Sequence, residues 1–191
     1  LALDSIGKPE KLVKRLQALA LQIGSQVSYN EIGQLVGLDT KTVDRYIDVL
    51  EKNYVIFRLG SFARNLRNEL KASRKIYFYD NGIRNAVLAN FSMLESRTHE
   101  EAGALWENFI ISERIKHNAY SDSYCNSWFW RTQQQKEIDY IEEEDGQIST
   151  FEFKWNPGAK YKYPQQFIEA YPNSSFKVIN RSNIEEFLLD L

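Results

Sequence analysis

The stretch from Lys136 to Trp155 constrains this chain most. Two strand-like runs flank Asp145-Gly146, a dipeptide that suits a two-residue hairpin turn because both of its positions tolerate positive φ. Such a turn fixes the register: Glu144 opposite Gln147, Asp139 opposite Glu152 and Glu137 opposite Lys154. Strand alternation then puts Glu137, Asp139, Glu152 and Lys154 on one face, and Ile138, Tyr140, Phe151 and Phe153 on the other. A carboxylate opposite a carboxylate is unfavourable unless a proton, a cation or a nearby lysine relieves it. Carboxylates and a lysine on one rigid face are also what a hydrolase needs to hold Mg²⁺ or Mn²⁺ through oxygen ligands. The plainer alternative is the solvated side of an amphipathic hairpin.

The 191 residues are 43% hydrophobic and 14% aromatic, enough for one large or two small cores. No apolar run approaches the length of a membrane span. The opening Leu-Ala-Leu-Asp is neither a signal peptide nor a start at Met, so a piece of a longer protein is expected. The single Cys125 rules out an internal disulfide and fits a reducing cytoplasm. With only His99 and His117 beside it, a structural zinc site is disfavoured. Charge is uneven: the first 80 residues carry 13 Lys and Arg against 9 Asp and Glu, and the remainder carries 11 against 17. That asymmetry suggests two domains, 1–80 and 81–191.

The front reads as three helices and two strands. Leu12, Leu16, Leu19 and Ile23 recur at helical spacing behind Pro9, and Gly24 ends the run. Ser28 and Glu31 form a capping box over a short helix that stops at Gly37. Asp39 caps a third helix, about 40–52, with Asn53 as the expected left-handed stop. Strands follow at 54–59 and 75–79, and the loop between them holds Arg64, Arg67, Lys71 and Arg74. This order predicts a winged helix-turn-helix with a basic wing. Lys41, Thr42 and Arg45 of the third helix and the wing cations are its candidate DNA contacts. Asp39, Asp44, Asp48 and Glu51 leave that helix net acidic, so a protein-docking role is the rival.

The back half reads as helix, three strands, helix, strand. Asp80-Asn81-Gly82 suggests a turn, and a helix is expected after it from Ile83 to about Phe91, with Ile83, Ala86, Val87 and Leu88 apolar. A helix over 102–117 is apolar around most of its circumference, and Glu107 lies inside that apolar sector. A carboxylate there needs a partner. Strands are expected at 126–132 and on both sides of Asp145-Gly146, a helix from Pro164 to about Tyr171, and a last strand at 176–179. The fold class expected is α/β (α+β), a mixed sheet flanked by helices.

Glu107 on a helix, Asp139 on a strand and Glu152-Phe153-Lys154 on the next resemble the PD-(D/E)xK nuclease superfamily, with its restriction-endonuclease-like core. The wider pattern is Tyr79-Asp80-Asn81-Gly82-Ile83-Arg84, Gly103-Ala104-Leu105-Trp106-Glu107-Asn108, Glu137-Ile138-Asp139-Tyr140 and Phe151-Glu152-Phe153-Lys154-Trp155. It resembles the C-terminal region of a group of prokaryotic AAA-type P-loop ATPases, in which a winged helix and a nuclease-like domain of unknown function follow the ATPase domain. No Gly-x-x-x-x-Gly-Lys-Ser/Thr occurs here, so ATP binding would belong to the parent protein and its N-terminal ATPase domain, with no ATP site in this chain. Ile138 stands where the superfamily's nominal motif has Pro.

The resemblance implies a metal-dependent phosphodiesterase acting on DNA. Asp139 and Glu152 would bind Mg²⁺ or Mn²⁺ with the Phe153 carbonyl, and Glu107 would complete the shell. Lys154 would orient or deprotonate the attacking water, and Lys160 and Lys162 would hold the phosphate backbone. The alternative from a different class is a non-catalytic DNA- or protein-binding module in which Glu107, Asp139, Glu152 and Lys154 form a salt-bridged core.

Overall fold

A computed structural model of the chain describes residues 9–63, 74–121 and 124–189. Three helices come first: α1 (Pro9–Leu21), α2 (Tyr29–Val36) and α3 (Thr40–Lys52). The expected caps hold. Ser28 accepts from the Glu31 N–H, Gly37 takes φ 67°, and Asp39 accepts from the Thr42 N–H. The left-handed stop after α3 falls on Tyr54, at φ 56°, rather than on Asn53, at φ −101°. The Asn53 amide instead donates to the Val49 carbonyl, closing the last turn from its side chain.

Strands β1 (Ile56–Ser61) and β2 (Arg74–Phe78) pair antiparallel. Asp80 then caps α4 (Asn81–Val87) by accepting from the Ile83 N–H, so the expected turn at Asp80-Asn81-Gly82 is a helix start. Helix α5 (His99–Tyr120) begins three residues before its apolar sector, because Thr98 accepts from the Glu101 N–H. Then come β3 (Asn126–Arg131), β4 (Glu137–Glu144), β5 (Gln147–Phe153), α6 (Gln165–Ala170), β6 (Ser175–Ile179) and α7 (Ile184–Leu188).

All six strands make one mixed sheet, in the order β2-β1-β3-β4-β5-β6. The two strands expected as a wing form its edge, since β1 pairs parallel with β3 through Gly60–Trp128 and Ser61–Phe129. The loop that would carry Arg64, Arg67 and Lys71 lies outside the described residues; Arg74 opens β2, opposite Gly60. Asp145 and Gly146 take φ 50° and 78°, and the hairpin has the expected register from Glu144–Gln147 to Tyr140–Phe151.

Three apolar clusters hold the layers together. Phe57, Leu59, Tyr77, Phe129, Tyr140, Phe151 and Phe153 face Trp106, Ile110 and Ile111 of α5 and Phe187 of α7. Ile56, Ile76 and Phe78, on the opposite face, pack under α1–α3 against Leu19, Ile32, Val43 and Ile47. Ile138 and Ile141 pack under Phe167 of α6. Ile138 therefore lies on the face opposite Tyr140, contrary to the alternation expected above. The cause is a shift in the β3–β4 register: Trp128 pairs with Ile141 and Trp130 with Ile138, which leaves Asp139 and Tyr140 together opposite Phe129.

Candidate functional site

Helix α5 reaches the site because Asn108 fixes it across the end of β2. Asn108 is fully buried; its carbonyl oxygen accepts from the Phe78 N–H at 2.8 Å, and its amide donates to the Phe78 carbonyl at 3.0 Å and to Asn81 Oδ1 at 2.9 Å. Glu107, the preceding residue, is thereby presented to the sheet. Its Oε1 accepts from Lys75 Nζ at 3.0 Å and from the Tyr77 hydroxyl at 2.6 Å. The partner that a carboxylate in this apolar sector needs is thus a lysine of β2. Lys75, only 1% exposed, also pairs with Glu137 of β4.

At the bulge the β4–β5 ladder stops at Tyr140–Phe151. Asp139 Oδ2 accepts from the Phe153 N–H at 2.8 Å instead. Glu152, 4% exposed, follows on β5. Its Oε1 accepts from Lys154 Nζ at 2.5 Å, while its Oε2 is buried with no hydrogen-bond partner among the described residues. Lys154 Nζ lies 5.3 Å from the centre of the Tyr161 ring, and the Tyr161 hydroxyl donates to the Glu137 carbonyl.

The carboxylates sense one another. Burial, then the charges of Glu107 and Glu152, hold the Asp139 pKa well above its ordinary value, against the opposing pull of Lys75 and the Phe153 N–H. Burial raises Glu152 as well, against its hydrogen bond to Lys154. Burial alone would lower Lys154, but the Glu152 hydrogen bond and charge, with Asp139 and Glu107, outweigh it and raise its pKa. Lys154 is therefore an ammonium at neutral pH. Burial likewise opposes the charge on Lys75, and Glu107, Tyr77, Asp139 and Glu137 overcome it.

Glu137, Glu152, Lys154, Tyr161 and Lys162 line a cleft of about 560 Å³ at this end of the sheet. Of the residues expected here from sequence, the fold brings together Glu107, Asp139, Glu152 and Lys154 and adds Lys162. Lys160 is exposed on the loop before it. Lys41 and Arg45 are exposed on α3, while the Thr42 hydroxyl donates to Asp39 Oδ2 at 2.7 Å as part of the N-cap. The acids of α3 are drawn off by Arg58 of β1, which pairs with Asp44, Asp48 and Glu51.

The donor set fits a hard divalent cation in part. Asp139 and Glu152 supply carboxylate oxygen, and the open Oε2 of Glu152 is a buried acceptor that a cation or a proton would satisfy. Glu107 fits less well, because Lys75 and Tyr77 already occupy its Oε1. Among the described residues, no three His, Cys, Asp or Glu side chains are gathered closely enough to form a ready metal set.

Lys75, Tyr77 and Glu137 complete this network and were not singled out as a group by sequence. The available signal was parity: Lys75 shares a strand face with Tyr77, whose ring belongs to the core.

Residues 102–187 match a domain of unknown function, DUF4143, and residues 1–94 match another, DUF8612. The chain is similar to an uncharacterised protein of Mycobacterium bovis and to an uncharacterised protein of Mycobacterium tuberculosis, each 29% identical over 136 residues. Those matches cover 71% of this chain and 30% of each relative's length. No solved structure matches the chain. In family terms, the Glu107, Asp139, Glu152 and Lys154 cluster falls within the part of the chain that matches DUF4143.

Proposed function

We propose that the chain carries a Mg²⁺- or Mn²⁺-dependent phosphodiester hydrolase site, with DNA as substrate. The observation that carries this reading is Glu152: a buried carboxylate with one oxygen on Lys154 and the other without a hydrogen-bond partner among the described residues, on the strand beside Asp139. The succession α5, β3, β4, β5, α6, β6 supports it, because helix, three strands, helix and strand is the order this reading expects.

Asp139 and Glu152 would hold the ion. A bound divalent cation supplies Lewis-acid activation of water and of the phosphoryl oxygens. The chain's own groups do the rest. Lys154, charged at neutral pH, fixes the attacking water and balances negative charge as it grows on the phosphate; being already protonated, it is not the base. Water oxygen bonds to phosphorus and gives up a proton to solvent, the P–O ester bond breaks, and the departing alkoxide takes up a proton from solvent. Lys162 in the cleft, Lys160 on its approach, and Lys41 and Arg45 on α3 are suited to hold the DNA backbone. Because Arg58 engages the acids of α3, their repulsion toward DNA is reduced. The parent would be a P-loop ATPase, in keeping with residues 102–187, which match a domain often found in ATPase-associated proteins.

One observation favours a second reading. Lys75 already compensates Glu107 and Glu137, as a structural ion network in a non-catalytic docking module would require. Thermal unfolding with and without millimolar Mn²⁺ separates the two, run on the wild type and on Glu152→Ala. The hydrolase reading expects an upward shift that the substitution abolishes. It also expects cleavage of linear, nicked or single-stranded DNA that fails in the variant. No shift in the wild type would leave the ion network as the better account.

A further inference from the structure

One of the cations that balance these carboxylates comes from outside the segment that carries them; Lys154 on Glu152 and Arg131, 3.4 Å from Glu137, come from within it. Glu107, Glu137, Asp139 and Glu152 all lie in the part that matches DUF4143, whereas Lys75 lies in the part that matches DUF8612. Lys75 joins α5 to β4 by bridging Glu107 and Glu137. Two residues on, Tyr77 donates to the same oxygen of Glu107.

The loop after α1 closes the same corner. The Gly24 N–H donates to the Ile76 carbonyl at 3.4 Å, the Val27 N–H to the Arg74 carbonyl at 3.0 Å, and Gln26 bridges to Lys75. A Cβ at Gly24 would stand 3.5 Å from Glu107 Oε1, and the residue's φ of +71° disfavours a side chain there in any case. The amino-terminal part thus supplies a second ammonium beside that of Lys154, a hydroxyl and a backbone wall to a site whose acids belong to the other part.

We infer that Lys75 is a built-in counter-cation of the Glu107–Glu137 side of the carboxylate cluster and a positioning residue for it, holding Glu107 and Glu137 in place and competing with any divalent cation for the same negative charge. The competition rests on the metal-dependent reading above; the positioning does not. Removing one partner of a buried pair leaves the other uncompensated, whereas removing both charges restores neutrality.

The test uses the 191-residue chain and four proteins: wild type, Lys75→Met, Glu107→Gln and the double variant. Lys75→Met should lower the melting temperature by about 10 °C. Adding Glu107→Gln should recover at least half of that loss. Additive losses in the double variant would overturn the positioning role. Should Lys75→Met fail to fold, a folded double variant supports the inference; failure of both beside a well-folded Glu107→Gln overturns it, because the defect is then steric.

Millimolar Mn²⁺ should raise the melting temperature of Lys75→Met more than that of the wild type. An equal or smaller rise overturns the competition. No rise in either protein removes both the metal-dependent reading and the competition, and the four-protein cycle alone then decides the positioning role.

Discussion

Asp139 accepts from the Phe153 N–H and feels the charge of Lys75, but burial and the charges of Glu107 and Glu152 outweigh both. Its pKa and that of Glu152 both lie above their ordinary values of 3.8 and 4.5. Carboxylates raised in this way bind protons more tightly folded than unfolded. Their contribution to stability is complete below the ordinary values and is lost as the pH rises through the raised ones. Glu101 runs the other way: its hydrogen bond to Arg84 leads in lowering its pKa, and its contribution is lost as the pH falls. Asp139→Asn keeps an acceptor for the Phe153 N–H and removes the charge. It is expected to stabilise the protein by about 1–2 kcal/mol at neutral pH, and to flatten the fall in stability above about pH 4. Urea unfolding across that range checks it; unchanged or lower stability at neutral pH would mean that the folded protein tolerates the charge. At this scale the sequence was informative about the acids and Lys154, and far less so about Lys75. The hairpin turn specifies Asp139, Glu152 and Lys154, since two-residue turns dictate register. Lys75 stands at the head of a strand next to Arg74, where a solvated lysine is ordinary, and nothing local announces that Glu107 arrives from 32 residues away.

Helix α5 is set by Asn108 more than by its hydrophobic stripe, which is broad enough to allow several rotations about the helix axis. The amide of Asn108 satisfies both backbone groups of Phe78 and so ties α5 to the last residue of β2. Asn108→Leu keeps the branching at Cγ, adds volume and leaves a buried N–H and C=O unpaired. A loss of about 2–4 kcal/mol in chemical denaturation is expected; a loss below about 1 kcal/mol would mean that the two groups find other partners. Caps and breaks made the elements readable: Ser28, Gly37, Asp39 and Pro164 all mark ends within a residue or two of those observed. Two features were not readable. Asp80 looked like a turn residue because Asp serves turns and N-caps equally well. The β3–β4 bulge comes from fitting both strands to helices on opposite faces, a condition that neither strand carries in its own alternation.

The whole molecule is joined along the seam between β1 and β3, where two residue pairs and the Phe62 N–H, bonded to the Phe129 carbonyl at 2.7 Å, continue one sheet across the chain. One apolar cluster spans that seam, with Phe57, Leu59 and Tyr77 on one side and Phe129, Tyr140 and Phe153 on the other. Calorimetry of the protein is expected to give a single transition with equal calorimetric and van't Hoff enthalpies. Residues 95–191 alone should lose cooperative unfolding, since β3 becomes an open edge beside a half-uncovered core. Two separated transitions, or a cooperative fragment, would refute this. The sequence foretold a mixed sheet with flanking helices, and the strands and caps suffice for that. It could not foretell the parallel pairing of β1 with β3, which depends on residues far apart in the chain. The same seam has a kinetic consequence. The Asp145-Gly146 turn lets β4 and β5 zip together on the microsecond scale of hairpins. The parallel seam must wait until the long excursion from Ser61 to Phe129 has closed, a step that pays loop entropy before any contact rewards it. The rate at which this protein folds is therefore governed at Gly60 and Ser61, far from the turn that fixes its register.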